Sequence, residues 1–129
     1  MKLLAVVLAF FAAAAPSKTV RLEIVHVVQG CHVWASPTRQ LGPSAKLTVT
    51  RGTRLVVRVS CPMDFTVKQV RGPKLSIGDP TFYTGTQRTI VFAKRGVYVL
   101  SAVNIQSSEQ MGLQTLGPDN HLSLTVTVR

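Results

Sequence analysis

In the stretch LTVTRGTRLVVRVSC, residues 47–61, largely apolar and largely polar positions alternate, and this alternation indicates the fold class. Its second half places Leu55, Val57, Val59 and Cys61 on one face of an extended chain, and Arg54, Val56 and Arg58 on the other. Side chains in a strand point alternately to opposite faces, so this pattern predicts half-buried strands with a solvated arginine face. Arg51-Gly52 predicts the turn between the two strands.

The same alternation recurs in five further segments: TVRLEIVHVV (19–28), FTVKQV (65–70), RTIVFA (88–93), VYVLSAV (97–103) and HLSLTVTV (121–128). In the first, Val20, Leu22, Ile24 and His26 are predicted to face inward, and in the last Leu122, Leu124, Val126 and Val128. No segment has a sustained helical period, although residues 106–114 have room for one short helical turn. Seven or eight strands separated by closely spaced turns predict an all-β, single-domain Greek-key β-sandwich.

Residues 1–15, MKLLAVVLAFFAAAA, have the features of a signal peptide. Lys2 supplies the positively charged n-region, an apolar h-region follows, and four alanines supply the small residues that signal peptidase cleaves after. The apolar run is shorter than the ~20 residues that a transmembrane helix needs. We therefore predict an exported protein, periplasmic or at the extracellular side of the cell envelope. Its domain spans residues 16–129 and has no transmembrane segment.

The exported domain is strongly basic. Without Lys2, fourteen of the 15 Lys and Arg remain against five Asp and Glu, a net charge of +9. This charge favours an acidic partner protein or an anionic envelope polymer. Nucleic acid is not expected, because the exposed-looking aromatic residues are limited to Phe82 and Tyr83. No enzyme is expected either: the acidic residues are scattered, and CxxC, HExxH and phosphate-binding glycine motifs do not occur.

The segment HVVQGCHVW, residues 26–34, concentrates side chains that bind metals. It holds His26, Cys31 and His32, and the second cysteine of the chain is Cys61. In an oxidising compartment the two cysteines favour a disulfide. Closing its loop of about thirty residues would stabilise the fold by roughly 3.6 kcal/mol. As thiolates, the same cysteines would be metal ligands, and the sequence leaves both alternatives open.

Beyond these residues, the order of motifs resembles the cupredoxin family. LTVTRGTRLVVRV is followed by FTVKQVRGP, TIVFAKRGVYVLSA, MG and a final LSLTVTV. The resemblance implies a β-sandwich and a copper site made of two histidines, one cysteine and an axial methionine. Three of these ligand positions fall at Phe65, at Ala102 and near Ile105, and only Met111 has the family's residue type. The usual copper site of the family is therefore not expected.

The resemblance also implies that the histidine, cysteine and methionine side chains of the exported domain lie at one end of the sandwich. These are His26, Cys31, His32, Cys61, Met63, Met111 and His121. Such donors suit Cu(I) or Cu(II). We predict a copper site formed by His26, Cys31, Cys61 and Met63, with His32 in reserve and Met111 and His121 as outer members.

The sequence leaves two functions open. In the first, the protein binds copper for electron transfer or copper handling, with an acidic redox or copper-handling protein as partner. In the second, it is a metal-free sandwich with a Cys31–Cys61 disulfide that binds an acidic partner or envelope polymer through its basic surface. The sequence leaves the oligomeric state undecided.

Overall fold

The computed structural model describes residues 18–27, 32–105 and 121–129. The ten strands within these ranges are β1 (Thr19–His26), β2 (His32–Ala35), β3 (Gln40–Gly42), β4 (Ser44–Val49), β5 (Thr53–Val59), β6 (Asp64–Arg71), β7 (Thr81–Phe82), β8 (Gln87–Phe92), β9 (Gly96–Ile105) and β10 (His121–Val128). The predicted signal peptide and the predicted helical turn in residues 106–114 lie outside the described residues. So do Cys31 and Met111.

The strands form two five-stranded sheets, ordered β3-β2-β1-β5-β8 and β4-β10-β9-β6-β7. The pairs β1–β5 and β4–β10 are parallel, and the other neighbouring strands are antiparallel. The all-β sandwich that the alternation and the cupredoxin resemblance imply is confirmed. The described residues contain more strands than the predicted seven or eight, because β2, β3 and β7 have only four, three and two residues. Segments this short show little alternation.

The core lies between the inward faces of the two sheets. The predicted inward residues of β5 and β10 are buried. They are Leu55, Val57, Val59, Leu122, Leu124, Val126 and Val128. Trp34 of β2 is also buried, and its indole Nε1–H donates a hydrogen bond to the carbonyl of Ser123 in the other sheet at 3.1 Å. This bond links the sheets beside the core.

The sandwich has two chemically different ends. At the histidine end, the paired residues are His26 with His32, His121 with Val103, and Asp64 with Ile105. At the opposite end, which we call the basic end, they are Thr53 with Phe92 and Gly96 with Val128. The described part of the chain contains no helix with the length and apolarity needed to cross a membrane.

Candidate metal site at the histidine end

A pair of histidines lies where β1 ends and β2 begins. His26 and His32 are directly opposite each other in this antiparallel pair. Opposed residues of neighbouring strands project to the same face of the sheet, so the two rings meet. Their centroids are 5.3 Å apart, with an angle of 74° between the ring planes. The end of the β1–β2 ladder thus holds two imidazoles together.

The two histidines differ in exposure, although both lie on the inward face that alternation predicts for His26. His26 is exposed, whereas His32, the predicted reserve ligand, is 1% exposed. Although His26 shares the alternation of Leu22 and Ile24, it is the last residue of β1 and stands beyond the covered part of the sheet. One imidazole of the pair therefore faces the core, and the other is open to solvent.

The buried ring of His32 packs against Phe65 of the facing sheet. Their centroids are 5.3 Å apart and the rings are nearly perpendicular, at 77°. Phe65 is fully buried, as is Ala102, whereas Ile105 is exposed at the end of β9. The sequence resemblance implies ligand positions at Phe65, at Ala102 and near Ile105, and these three residues hold carbon side chains. A phenyl ring thus lies beside the histidine pair.

Cys61 lies in the segment that joins β5 to β6, with a buried free thiol. The thiol donates a hydrogen bond to the carbonyl oxygen of Met63 at 3.4 Å. Burial raises the pKa of Cys61 because it removes water from around the thiolate, although backbone hydrogen bonds at Met63 and Cys61 act in the opposite direction. The nearby Asp64 carboxylate adds to the increase. A protonated thiol is a poor metal ligand.

Met63 is buried beside the same segment, with 1% of its surface exposed. Its Sδ accepts a hydrogen bond from the Asn104 side-chain amide at 3.2 Å. The Cys61–Met63 segment is further held by Thr84, whose hydroxyl donates to the carbonyl of Cys61 and whose N–H donates to Asp64 Oδ1 at 2.8 Å. The thioether and the thiol therefore belong to a hydrogen-bonded loop.

The structure brings only some of the predicted ligands together. In residues 18–27, 32–105 and 121–129, no three His, Cys, Asp or Glu side chains are placed to hold one metal ion. His121 is exposed at the start of β10. Cys31 and Met111 are outside these ranges, so the Cys31–Cys61 disulfide and the two predicted ligands stay predictions. What the described residues supply is the pair formed by His26 and His32.

Sequence reasoning missed Asn104. Its contact with Met63 joins residues 41 positions apart, and no local motif marks such a pair. It also missed that β2 begins at His32, which places this histidine opposite His26. The closeness of the two histidines in HVVQGCHVW was the available signal, because six residues suffice for a chain to reverse direction.

No protein-family model matches the chain, and no curated protein matches it. Similar solved structures include a purple cupredoxin from Nitrosopumilus maritimus, with 17% identity and a TM-score of 0.49 over 85% of this chain and 99% of that one. Reduced rusticyanin has 14% identity and a TM-score of 0.44 over 89% of this chain and 82% of that one. The cysteine protease inhibitor EhICP2 from Entamoeba histolytica has 12% identity and a TM-score of 0.43 over 90% and 100%.

Proposed function

We propose that this protein binds copper through His26 and His32 and acts in copper handling. The observation that carries the proposal is the cross-strand histidine pair, with ring centroids 5.3 Å apart. When each metal–nitrogen bond is about 2.0 Å, two imidazoles on one metal ion have centroids about 5 Å apart. The spacing of the ring centroids therefore fits one shared ion. Both ring nitrogens of His32 are enclosed, so the ring must be uncovered for the ion to bind.

The donor set favours copper among the divalent first-row metals. Imidazole binds several of these ions, and Cu²⁺ forms the most stable complexes with nitrogen ligands. Cys31 precedes His32 in the sequence and remains a predicted thiolate ligand, which would add affinity for Cu(I). Burial raises the pKa of Cys61, so a metal ion would have to displace the proton of a buried thiol to bind there.

The exposure of His26 favours handling over electron transfer. One ligand of the pair is open to solvent, so a donor or acceptor of copper could reach the ion directly. The cupredoxin ligand positions at Phe65 and Ala102, which are enclosed, carry no donor atoms. Copper is then a cargo that the chain takes up and releases, rather than a permanently enclosed redox centre. Export, which the first fifteen residues predict, would place this activity in the cell envelope.

A competition titration tests the proposal. The mature, reduced protein is titrated with Cu(II) and, separately, with Cu(I) against a chelator of known affinity. We expect one equivalent to bind, and His26→Gln to weaken binding by at least about 10- to 100-fold, the range that loss of even a supporting residue costs. His121→Gln is the matched control, because it removes an exposed histidine of the same end without touching the pair.

The outcomes separate the alternatives. Equal weakening by both substitutions would point to nonspecific binding and contradict the proposal. An intense thiolate-to-copper absorption band with little exchange would favour electron transfer. The absence of bound copper in the unsubstituted protein would leave the metal-free binding domain as the account of this chain.

A further inference from the structure

Cationic side chains are concentrated at the basic end of the sandwich. Seven exposed Lys and Arg belong to its turns and strand ends: Lys18, Arg51, Arg71, Lys74, Lys94, Arg95 and Arg129. The turns 50–53, 71–74 and 93–96 contain no Asp or Glu. The positive potentials of neighbouring cations add, so this end attracts an acidic ligand.

Backbone contacts bring these turns together. Arg51 donates its backbone N–H to the carbonyl of Arg129 at 3.0 Å, and Arg54 donates to the carbonyl of Lys18 at 2.8 Å. On the other side of this end, Gly96 lies against the ring of Pro73. The cations therefore surround one end rather than being spread evenly over the surface.

The carboxylates of the described residues lie elsewhere. Asp64 pairs with Ile105 at the histidine end. Asp79 accepts a hydrogen bond from the N–H of Thr81 at 3.0 Å, next to β7. Glu23 is opposite Arg58, five residues along the chain from Lys18. The described carboxylates thus lie away from the turns of the basic end, while the other seven described Lys and Arg are distributed along the strands and the turn between β2 and β3.

A cleft at the basic end combines positive charge with an apolar surface. Its volume is about 260 Å³, and Lys74 and Lys94 flank a lining that includes Leu75, Val91 and Ala93. Val91 is 48% exposed, so the lining presents an apolar side chain to a ligand. The turn that carries Lys94 is fixed by the Tyr98 hydroxyl, which donates to the carbonyl of Lys94 at 2.6 Å. This hydrogen bond fixes the side of the cleft that Lys94 forms.

We propose that the cleft between Lys74 and Lys94 binds an acidic segment of a partner protein, with an apolar side chain of that segment seated on Val91. The two lysines can pair with Asp or Glu side chains. The exposed apolar lining needs an apolar group on the ligand, which a sulfated or phosphorylated polymer lacks. A protein segment offers both chemistries within a few residues, as interface cores with polar rims do. This site is at the opposite end from the histidine pair and does not depend on copper.

The test uses a fluorescein-labelled peptide with the sequence Glu-Asp-Glu-Leu-Glu-Asp-Glu and a matched peptide in which Ser replaces Leu. Binding to the full mature chain is measured by fluorescence anisotropy. We expect the combined substitution Lys74→Gln and Lys94→Gln to weaken binding about 10-fold, since an exposed ion pair contributes up to about fivefold. Lys46→Gln with Lys68→Gln is the control, because it removes the same charge from exposed positions in β4 and β6.

A second substitution tests the apolar part of the cleft. Val91→Thr keeps the shape of the side chain and should abolish the preference for the leucine peptide over the serine peptide. Val103→Thr, at a similarly exposed valine of the histidine end, should leave that preference unchanged. Equal weakening by the two lysine pairs, or tight binding of heparin without binding of either peptide, would overturn the proposal.

Discussion

Cys61 is a residue whose surroundings should make the stability of the fold depend on pH. Desolvation raises the pKa of its thiol above the ordinary value of 9.0. Above pH 9 the unfolded chain releases this proton while the folded chain retains it, so the unfolded state is favoured. We expect no contribution from Cys61 below that pH and a progressive loss of stability as the pH rises beyond it.

Urea unfolding between pH 7 and 10.5, under reducing conditions, measures this effect. The alkaline loss of stability should become smaller in Cys61→Ala and persist in Cys31→Ala, which removes the other thiol. If the two variants lose stability in parallel with the unsubstituted chain, the Cys61 thiol does not titrate as its burial requires.

The histidine pair shows what sequence can and cannot predict at the level of a residue. Alternation correctly predicted the buried faces containing Leu55 and Leu124, because a strand in a sandwich has one face covered. It placed His26 on the inward face, as the pairing with His32 shows, but it did not predict the exposure of His26, because alternation does not tell where the facing sheet stops covering a strand. The contact of His32 with Phe65 joins the two sheets, and a pattern within one strand carries no information about it.

Among the connecting elements, the turn after β6 depends most strictly on glycine. Gly72 has φ of +108°, and a Cβ at this position would be 2.6 Å from the carbonyl oxygen of Val97 and 2.9 Å from Cα of Tyr98. Both are backbone atoms of β9, which cannot move without disturbing the sheet. We expect Gly72→Ala to destabilise the fold by about 3 kcal/mol, from a positive φ and a steric clash together.

Gly52, in the turn between β4 and β5, provides the matched control. It also has a positive φ, +88°, but an added Cβ would have no atom within 4 Å. Gly52→Ala should therefore cost only the conformational part, about 1 kcal/mol. Chemical unfolding of both variants compares the two costs, and equal values would show that β9 accommodates the added methyl group.

The short strands mark the limit of prediction at the level of elements. The long strands were recognisable because six or more alternating residues make a pattern. β2 and β7 are defined by their partners, through the pairing of His32 with His26 and of Phe82 with Phe65. Pairing between distant segments depends on how the two sheets assemble, which local alternation does not encode. The candidate site was correspondingly harder to predict than the sandwich.

For the whole molecule, the proposed copper site and the proposed peptide cleft lie at opposite ends. The eight residues of β1 connect the two ends, a length of about 26 Å for a strand. The two proposed sites share no residue, and coupling between them would need an element with two arrangements that both ligands bias. We expect the affinity for the acidic leucine peptide to agree within about twofold between copper-free and copper-loaded protein.

Anisotropy titrations with and without one equivalent of copper measure this independence. His26→Gln serves as the control, because added copper should not reach the site in that variant. A change of more than about fivefold that requires His26 would show that the two ends are coupled.

In the proposed site, one copper ion is bound to both His26 and His32. Pulsed electron paramagnetic resonance of the Cu(II)-loaded protein counts the imidazoles bound to the metal through the distant ring nitrogen of each. This shared site predicts two imidazoles in the unsubstituted protein, one in His26→Gln and two in His121→Gln. A single imidazole in the unsubstituted protein, or loss of one in His121→Gln, would contradict it.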